Sequence, residues 1–247
     1  MRILFLFIYN VLFALFLVIL IPFGLIFSSN FRRNFFYRTS ERIASWRFNP
    51  DLSKDRLWFH CSSIGEVRAA EPLLCALKDS NTQIILTVVT KTAREYAKDL
   101  KFLDFTALFP LDLYPFTARA FKIIKPTVFL PIETELWPSL LYAASAKKIK
   151  IISVNGRISQ KTFNSYKAFS FFWSPFIKLI DIVLARSFDD AKRYEILSKG
   201  SVKTFVTGNI KYDRDFSCQS SRDLFYIKDE DIVFTAGSIR EGEYKHI

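Results

Sequence analysis

Three carboxylates stand directly after short apolar runs, where a chain that folds as alternating strands and helices would expose them. Glu66 closes the string Ser62-Ser63-Ile64-Gly65-Glu66, and Glu133 and Glu135 open Glu133-Thr134-Glu135-Leu136-Trp137-Pro138. A further cluster, Asn155-Gly156-Arg157-Ile158-Ser159, follows a third run, and Thr90-Lys91-Thr92 and Pro110-Leu111-Asp112 follow two more. A carboxylate is the residue type for exchanging protons, and arginine is the one for holding an anion in two-pronged geometry. Each element also has a local explanation. Glu66 suits the positive end of a helix, and Ser62, Asp112 or the Glu133–Glu135 pair suit helix caps. Gly65 is read as permitting a tight turn ahead of a helix begun by Glu66.

Several common chemistries lack their parts. No GxGxxG, P-loop or GxSxG string occurs, and no cluster has metal-ligand spacing. Dinucleotide, NTPase and serine-hydrolase readings therefore fall away. Cys61, Cys75 and Cys218 are an odd set without metal spacing, read as reduced thiols in a cytosolic compartment. His60 and Cys61 are neighbours on an expected strand, so their side chains take opposite faces and do not form a catalytic pair.

The elements that must position these residues are legible from residue 51 onward. Strands are expected at 56–61, 83–89, 106–109, 127–132, 150–154, 182–185 and 203–206. Helices are expected at 66–78, 93–101, 115–124, 138–147, 169–179 and 189–199. Pro115 and Pro138 stand where a helix opens, a position that tolerates proline. Several strands are apolar without alternation, as in a parallel sheet covered on both faces. The expectation is a doubly wound, Rossmann-like α/β domain, with ligands at the carboxyl ends of its strands. A last strand is expected at 231–238, opening a second domain.

The chain begins differently. Residues 3–30 carry no charge, and residues 3–27 are almost wholly apolar. A helix of that length reaches across a hydrocarbon core of about 30 Å. The apolar run is too long for a signal peptide and lacks a clear small-residue cleavage site. Arg32, Arg33, Arg38, Arg42 and Arg47 follow, interleaved with Phe31, Phe35, Phe36, Tyr37, Ile43 and Trp46 and opposed only by Glu41. That pattern predicts a single-pass helix with the body on the cytoplasmic side. The segment reads either as a stop to transfer or as a helix in the anionic headgroup layer. The whole chain carries 35 Lys and Arg against 24 Asp and Glu, for a net charge of +11. The densest basic–aromatic cluster lies beside the membrane run, which favours an acidic lipid partner over nucleic acid. The expected divisions are an anchor at 1–30, a basic membrane-proximal segment at 31–50, an α/β domain at 51–211, and a linker with the first strand of another domain at 212–247.

Ordered strings along the chain resemble one enzyme family. Trp58-Phe59-His60-Cys61-Ser62-Ser63-Ile64-Gly65-Glu66-Val67 looks like the W-x-H-x-x-S-[VI]-G-E block of the Kdo transferases. Phe109-Pro110-Leu111-Asp112, the Glu133 string, the Asn155 string and Thr207-Gly208-Asn209-Ile210-Lys211-Tyr212-Asp213 follow in the family's order. Ala236-Gly237-Ser238-Ile239-Arg240-Glu241-Gly242-Glu243 matches in part, with Ile239 and Arg240 where the family has Thr-His.

The resemblance implies an inverting GT-B glycosyltransferase that moves Kdo from CMP-Kdo to lipid A or its tetraacylated precursor, without a bound metal or other cofactor. It implies Glu66 as the general base that takes the acceptor hydroxyl proton. Gly65 would let the sugar approach closely, with Ser63 beside it. Glu133 and Glu135 would line the acceptor side or hold neighbouring groups. Asn155, Arg157 and Ser159 would face an interdomain cleft, with Arg157 on a sugar carboxylate or lipid phosphate. Lys211 would stand at the crossing to the second domain, and Ser238, Glu241 and Glu243 on the donor side. It also implies an inner-membrane location. Most of the family's donor domain would lie beyond Ile247, so a truncated or split form, inactive alone, is expected. The alternatives are a non-catalytic lipid A binding module and a GT-B transferase that uses another sugar nucleotide.

Overall fold

The computed structural model describes residues 2–28, 37–213, 228, 230–235 and 237. A long helix, α1 (Arg2–Phe27), precedes a short one, α2 (Thr39–Arg42). Strand and helix then alternate: β1 (Asp55–Cys61), α3 (Ile64–Ala76), β2 (Thr82–Val88), α4 (Lys91–Lys98), β3 (Phe105–Leu108), α5 (Tyr114–Ile124), β4 (Val128–Pro131), α6 (Pro138–Ala146) and β5 (Lys150–Gly156). Two helices, α7 (Gln160–Ala168) and α8 (Ser170–Ile177), lead to β6 (Ile182–Ala185), α9 (Phe188–Ser198), β7 (Lys203–Val206) and a 3-10 turn at Ile210–Tyr212. The strands and helices expected between residues 51 and 211 all appear, with ends shifted by a few residues.

The seven strands are parallel, in the order β3-β2-β1-β4-β5-β6-β7. Alternation along β1 explains how one sheet serves two cores. Trp58 packs into one with Phe121 and Phe129, while Phe59 and Cys61 pack into the other with Ile84 and Leu86. The order reverses between β1 and β4. There the connections leave in opposite directions and open a crevice at the carboxyl edge.

Helix α7 has no counterpart among the expected elements. Of its nine residues only Phe163 is buried, so its sequence shows no apolar period. The segment read as membrane-proximal is, from Tyr37 on, partly built into the body. Trp46 is buried and meets Trp58 edge-on at 6.4 Å. The Glu41 carboxylate takes hydrogen bonds from Arg94 (3.2 and 3.3 Å) and from the Leu108 N–H (2.6 Å). Burial pushes the Glu41 carboxyl up, but Arg94, the Leu108 amide and Arg38 outweigh it and hold it below its ordinary value. Arg42 donates to the Val89 carbonyl at 3.3 Å.

The chain divides into compact units at Met1–Arg214 and Asp215–Ile247. In the second, the strand expected at 231–238 does not form over the described residues 231–235. A turn stands at its start, where the Lys228 N–H donates to Asp231 Oδ2 (2.8 Å) and the Asp231 N–H to the Lys228 carbonyl (3.2 Å). Ile232 and Phe234 are exposed. A strand is stabilised by the ladder it joins, and no neighbouring strand is present there among the described residues.

Candidate active site at the carboxyl edge

The sequence around Glu66 folds as a helix start. Ser63 is the N-cap of α3, and its hydroxyl accepts the Glu66 N–H at 3.3 Å. The Glu66 side chain folds back in return. Its Oε2 accepts the Ser62 N–H at 2.6 Å, and its Oε1 accepts the Ser63 hydroxyl at 3.3 Å. This arrangement is a variant of the Ser-x-x-Glu capping box, with Glu66 taking the amide of Ser62, one residue before the N-cap, and the hydroxyl of Ser63. The carboxylate is partly buried at the β1–β4 crevice. Burial is the main force pushing its pKa above the ordinary carboxylate value. The Ser62 amide opposes this, and the charges of Glu135 and Glu133 add to it.

Glu135 is tied into the same cluster from the β4 side. Its carboxylate accepts hydrogen bonds from the Ser62 hydroxyl and the Trp137 indole N–H. Ser62 therefore joins the two carboxylates, giving its amide to Glu66 and its hydroxyl to Glu135. Behind them lies His60, fully buried and stacked on Phe109 at 3.9 Å. His60 Nδ1 lies 3.0 Å from the Thr87 carbonyl oxygen and 3.1 Å from the Thr87 hydroxyl. Its Nε2 lies 3.5 Å from Glu135 Oε2. Burial raises the Glu135 carboxyl, but His60, Ser62 and Trp137 together bring it below its usual value. Two carboxylates that share one serine are thus pushed in opposite directions.

The remaining residues of the edge play distinct parts. Glu133 has a left-handed backbone (φ 60°), and its Oε1 pairs with Lys211 Nζ at 3.0 Å. That contact ties the β4 turn to the chain leaving the domain. Asn155, also left-handed (φ 55°) and buried, accepts the Ile210 N–H at 3.4 Å. It holds the exit segment. Ser159 caps α7 by accepting the Thr162 N–H at 3.2 Å. Arg157 is exposed, and its carbonyl accepts the Thr134 hydroxyl.

Gly65 corrects an expectation. It lies inside α3, its φ is not in the left-handed region, and a Cβ there would meet only the Ser63 hydroxyl, at 3.8 Å. Helical backbone is open to every L-residue, so the turn does not require glycine. Gly65 leaves an exposed surface beside Glu66. Asp112, read as a cap, does cap a helix: its carboxylate accepts the Ser139 and Leu140 N–H groups of α6 at 3.1 and 2.9 Å. Burial pushes its pKa up to about 6. Ser238, Glu241 and Glu243 lie outside the described residues. Ser62, His60 and Trp137 were not among the candidate site residues. Strand alternation was the available signal, since it puts Trp58 and His60 on one face of β1.

A family model described as 3-deoxy-D-manno-octulosonic-acid transferase (kdotransferase) matches residues 34–214. The chain is 33% identical over 207 residues to a 3-deoxy-D-manno-octulosonic acid transferase of Aquifex aeolicus, covering 81% of this chain and 52% of that protein. It is 30% identical to the Haemophilus influenzae protein of the same name, covering 76% and 45%. A bifunctional glycosyltransferase/methyltransferase of Fusobacterium nucleatum is 32% identical over 228 residues, covering 85% and 35%. The chain thus spans about half, or less, of the length of these relatives. Among solved structures, a UDP-N-acetylglucosamine 2-epimerase from Rickettsia bellii superposes with a TM-score of 0.50 at 12% identity, over 71% of this chain and 52% of that one. That likeness concerns the fold alone.

Proposed function

Since the chain belongs to the 3-deoxy-D-manno-octulosonic-acid (Kdo) transferase family, we propose that it forms the membrane-anchored, acceptor-binding part of an enzyme that moves Kdo from CMP-Kdo to lipid A or its tetraacylated precursor. The observation that carries the reading is the Glu66 carboxylate. It stands at the β1–β4 crevice, held by the Ser62 amide, with its pKa raised by burial and by two neighbouring carboxylates.

In the proposed step an acceptor hydroxyl gives its proton to Glu66 while its oxygen attacks the anomeric carbon of Kdo. The bond to CMP breaks on the opposite face and its electron pair leaves with CMP, which inverts the centre. A raised pKa makes Glu66 a stronger base than an ordinary carboxylate. Ser62 and Glu135 fix the base's position, and the open surface at Gly65 gives the sugar room. Arg157 is proposed to meet the sugar carboxylate or a lipid phosphate, with Ser63, Ser159 and Lys211 nearby. Ser238, Glu241 and Glu243 are proposed for the donor side. The enzyme would sit on the cytoplasmic face of the inner membrane, among anionic lipids.

The test is Kdo transfer from CMP-Kdo to a tetraacylated lipid A precursor in detergent, by this chain as it stands and by this chain joined to the remaining part of the Aquifex relative. The expected result is transfer by the joined form, falling by about 100-fold or more with Glu66→Ala, the usual loss for a general base. With Glu66 intact, the acidic limb of kcat/KM should lie above the ordinary carboxylate range. Unchanged transfer by Glu66→Ala would make Glu66 only a helix cap. Precursor binding without transfer by a folded joined form would favour a binding module, and transfer from another sugar nucleotide alone would reassign the donor.

A further inference from the structure

The sequence predicts that α1 crosses the membrane, and its 26 residues, about 39 Å of helix, are long enough. The structure shows that much of this length is already occupied. Arg2 lines one cavity of about 440 Å³ with Phe171, Ser174, Lys178 and Lys199. Phe5 meets Phe171 and Phe172 edge-on, each at 6.0 Å, and Leu6 is buried in the body's core. Asn10 is pinned at both ends of its amide. Its Nδ2 donates to the Ser139 hydroxyl at 3.0 Å, and its Oδ1 accepts the Tyr114 N–H at 2.7 Å.

These contacts also give the helix a direction. Lys178 and Lys199 precede β6 and β7, at the amino edge of the sheet. Tyr114 and Ser139 open α5 and α6, which follow β3 and β4 at the carboxyl edge. The first turns of α1 therefore climb the body from the amino edge to the carboxyl edge, and its later turns run on past the edge that carries Glu66. Residues 14–27 contribute nothing to the core clusters, and Val18, Ile19, Phe23, Ile26 and Phe27 are each more than 60% exposed. These 14 residues make about 20 Å of helix, short of the roughly 30 Å of a hydrocarbon core.

We propose that α1 is a one-sided anchor, which enters the bilayer from the side where the α/β body lies and does not cross it. Residues 14–27 sit in lipid, Arg2 stays with the body, and the carboxyl edge of the sheet is turned towards the membrane surface. Spanning would need the first turns to leave the body. That would carry Arg2 away from the surface it lines and place the Asn10 amide in hydrocarbon without its partners, at a cost of several kcal/mol. The arginines after the helix, Arg32 and Arg33, keep its other end on the same side as the body. The inference rests on the reading of α1 as a membrane anchor and extends it.

The experiment follows two thiols with a membrane-impermeant maleimide in sealed inner-membrane vesicles, in a chain carrying Cys218→Ser. One is the native exposed Cys75 on α3. The other is a cysteine on a short extension before Met1, in a Cys75→Ser background. The expected result is that both label in inside-out vesicles and both are protected in right-side-out ones. An N-terminal thiol that labels only in right-side-out vesicles would show a spanning helix and overturn the inference, leaving the anchor intact. Recovery of the protein in the soluble fraction after an alkaline wash would remove the anchor itself, and the inference with it.

Discussion

Asp112 shows how burial and capping compete at one side chain. Its carboxylate accepts the first two free amides of α6 and a bond from Tyr9, all of which favour the charged form, yet burial raises its pKa from 3.8 to about 6. The folded state therefore prefers the protonated acid more than the unfolded chain does. The contribution of this group to stability is largest below about pH 4, falls as the pH rises towards 6, and is level above that. Asp112→Asn should remove this slope, which denaturant unfolding of the two proteins at pH 4.5 and pH 7 would measure. Glu66 and Glu135 carry the same lesson into the site. They share Ser62, but only Glu135 has His60 and Trp137 against it, and their pKa values move apart. Glu135→Gln should therefore ease the pressure on Glu66 and shift the acidic limb of the joined enzyme's pH profile downwards. An unmoved limb would mean that the Glu135 charge does not act on Glu66. None of this ordering can be read from spacing, because Ser62 and Glu135 are 73 positions apart.

Glycine and turn geometry belong to the scale of the element. Gly156 ends β5 at a register shift against β6, and a Cβ there would come within 2.7 Å of Val183 Cγ1 and 3.2 Å of Tyr194 Cε2. Gly156→Ala should cost about 1–3 kcal/mol through overpacking, read as a lower Tm in detergent. At Gly65 a Cβ has space on helical backbone, so Gly65→Ala should hold or slightly raise Tm, and any loss in transfer would report on the sugar's approach. The two glycines look alike in sequence, each beside a strand end and a charged residue. What separates them is whether a neighbouring element comes close. The same limit explains why α7 escaped a reading by periodicity, whereas α5 and α6 announced themselves by Pro115 and Pro138 at their first turns.

Across the whole molecule, the Met1–Arg214 unit holds both core clusters. A chain ending at Arg214 should keep a single cooperative unfolding transition in detergent, and a broad, non-cooperative melt would contradict this. The alternation of apolar runs with helix starts was enough to determine the parallel α/β class, because local period and length are written into each segment. The ordered strings around Glu66, Glu133, Asn155 and Lys211 were enough to point to the family. Sequence also marked α1 as apolar and long. Only the tertiary structure decided that its first turns pack on the body, that Ser62 joins Glu66 to Glu135, and that Asn155 holds the exit segment. Those outcomes depend on contacts between residues far apart in the chain, such as Asn10 with Ser139, and a local pattern carries no record of which distant surface a side chain will meet.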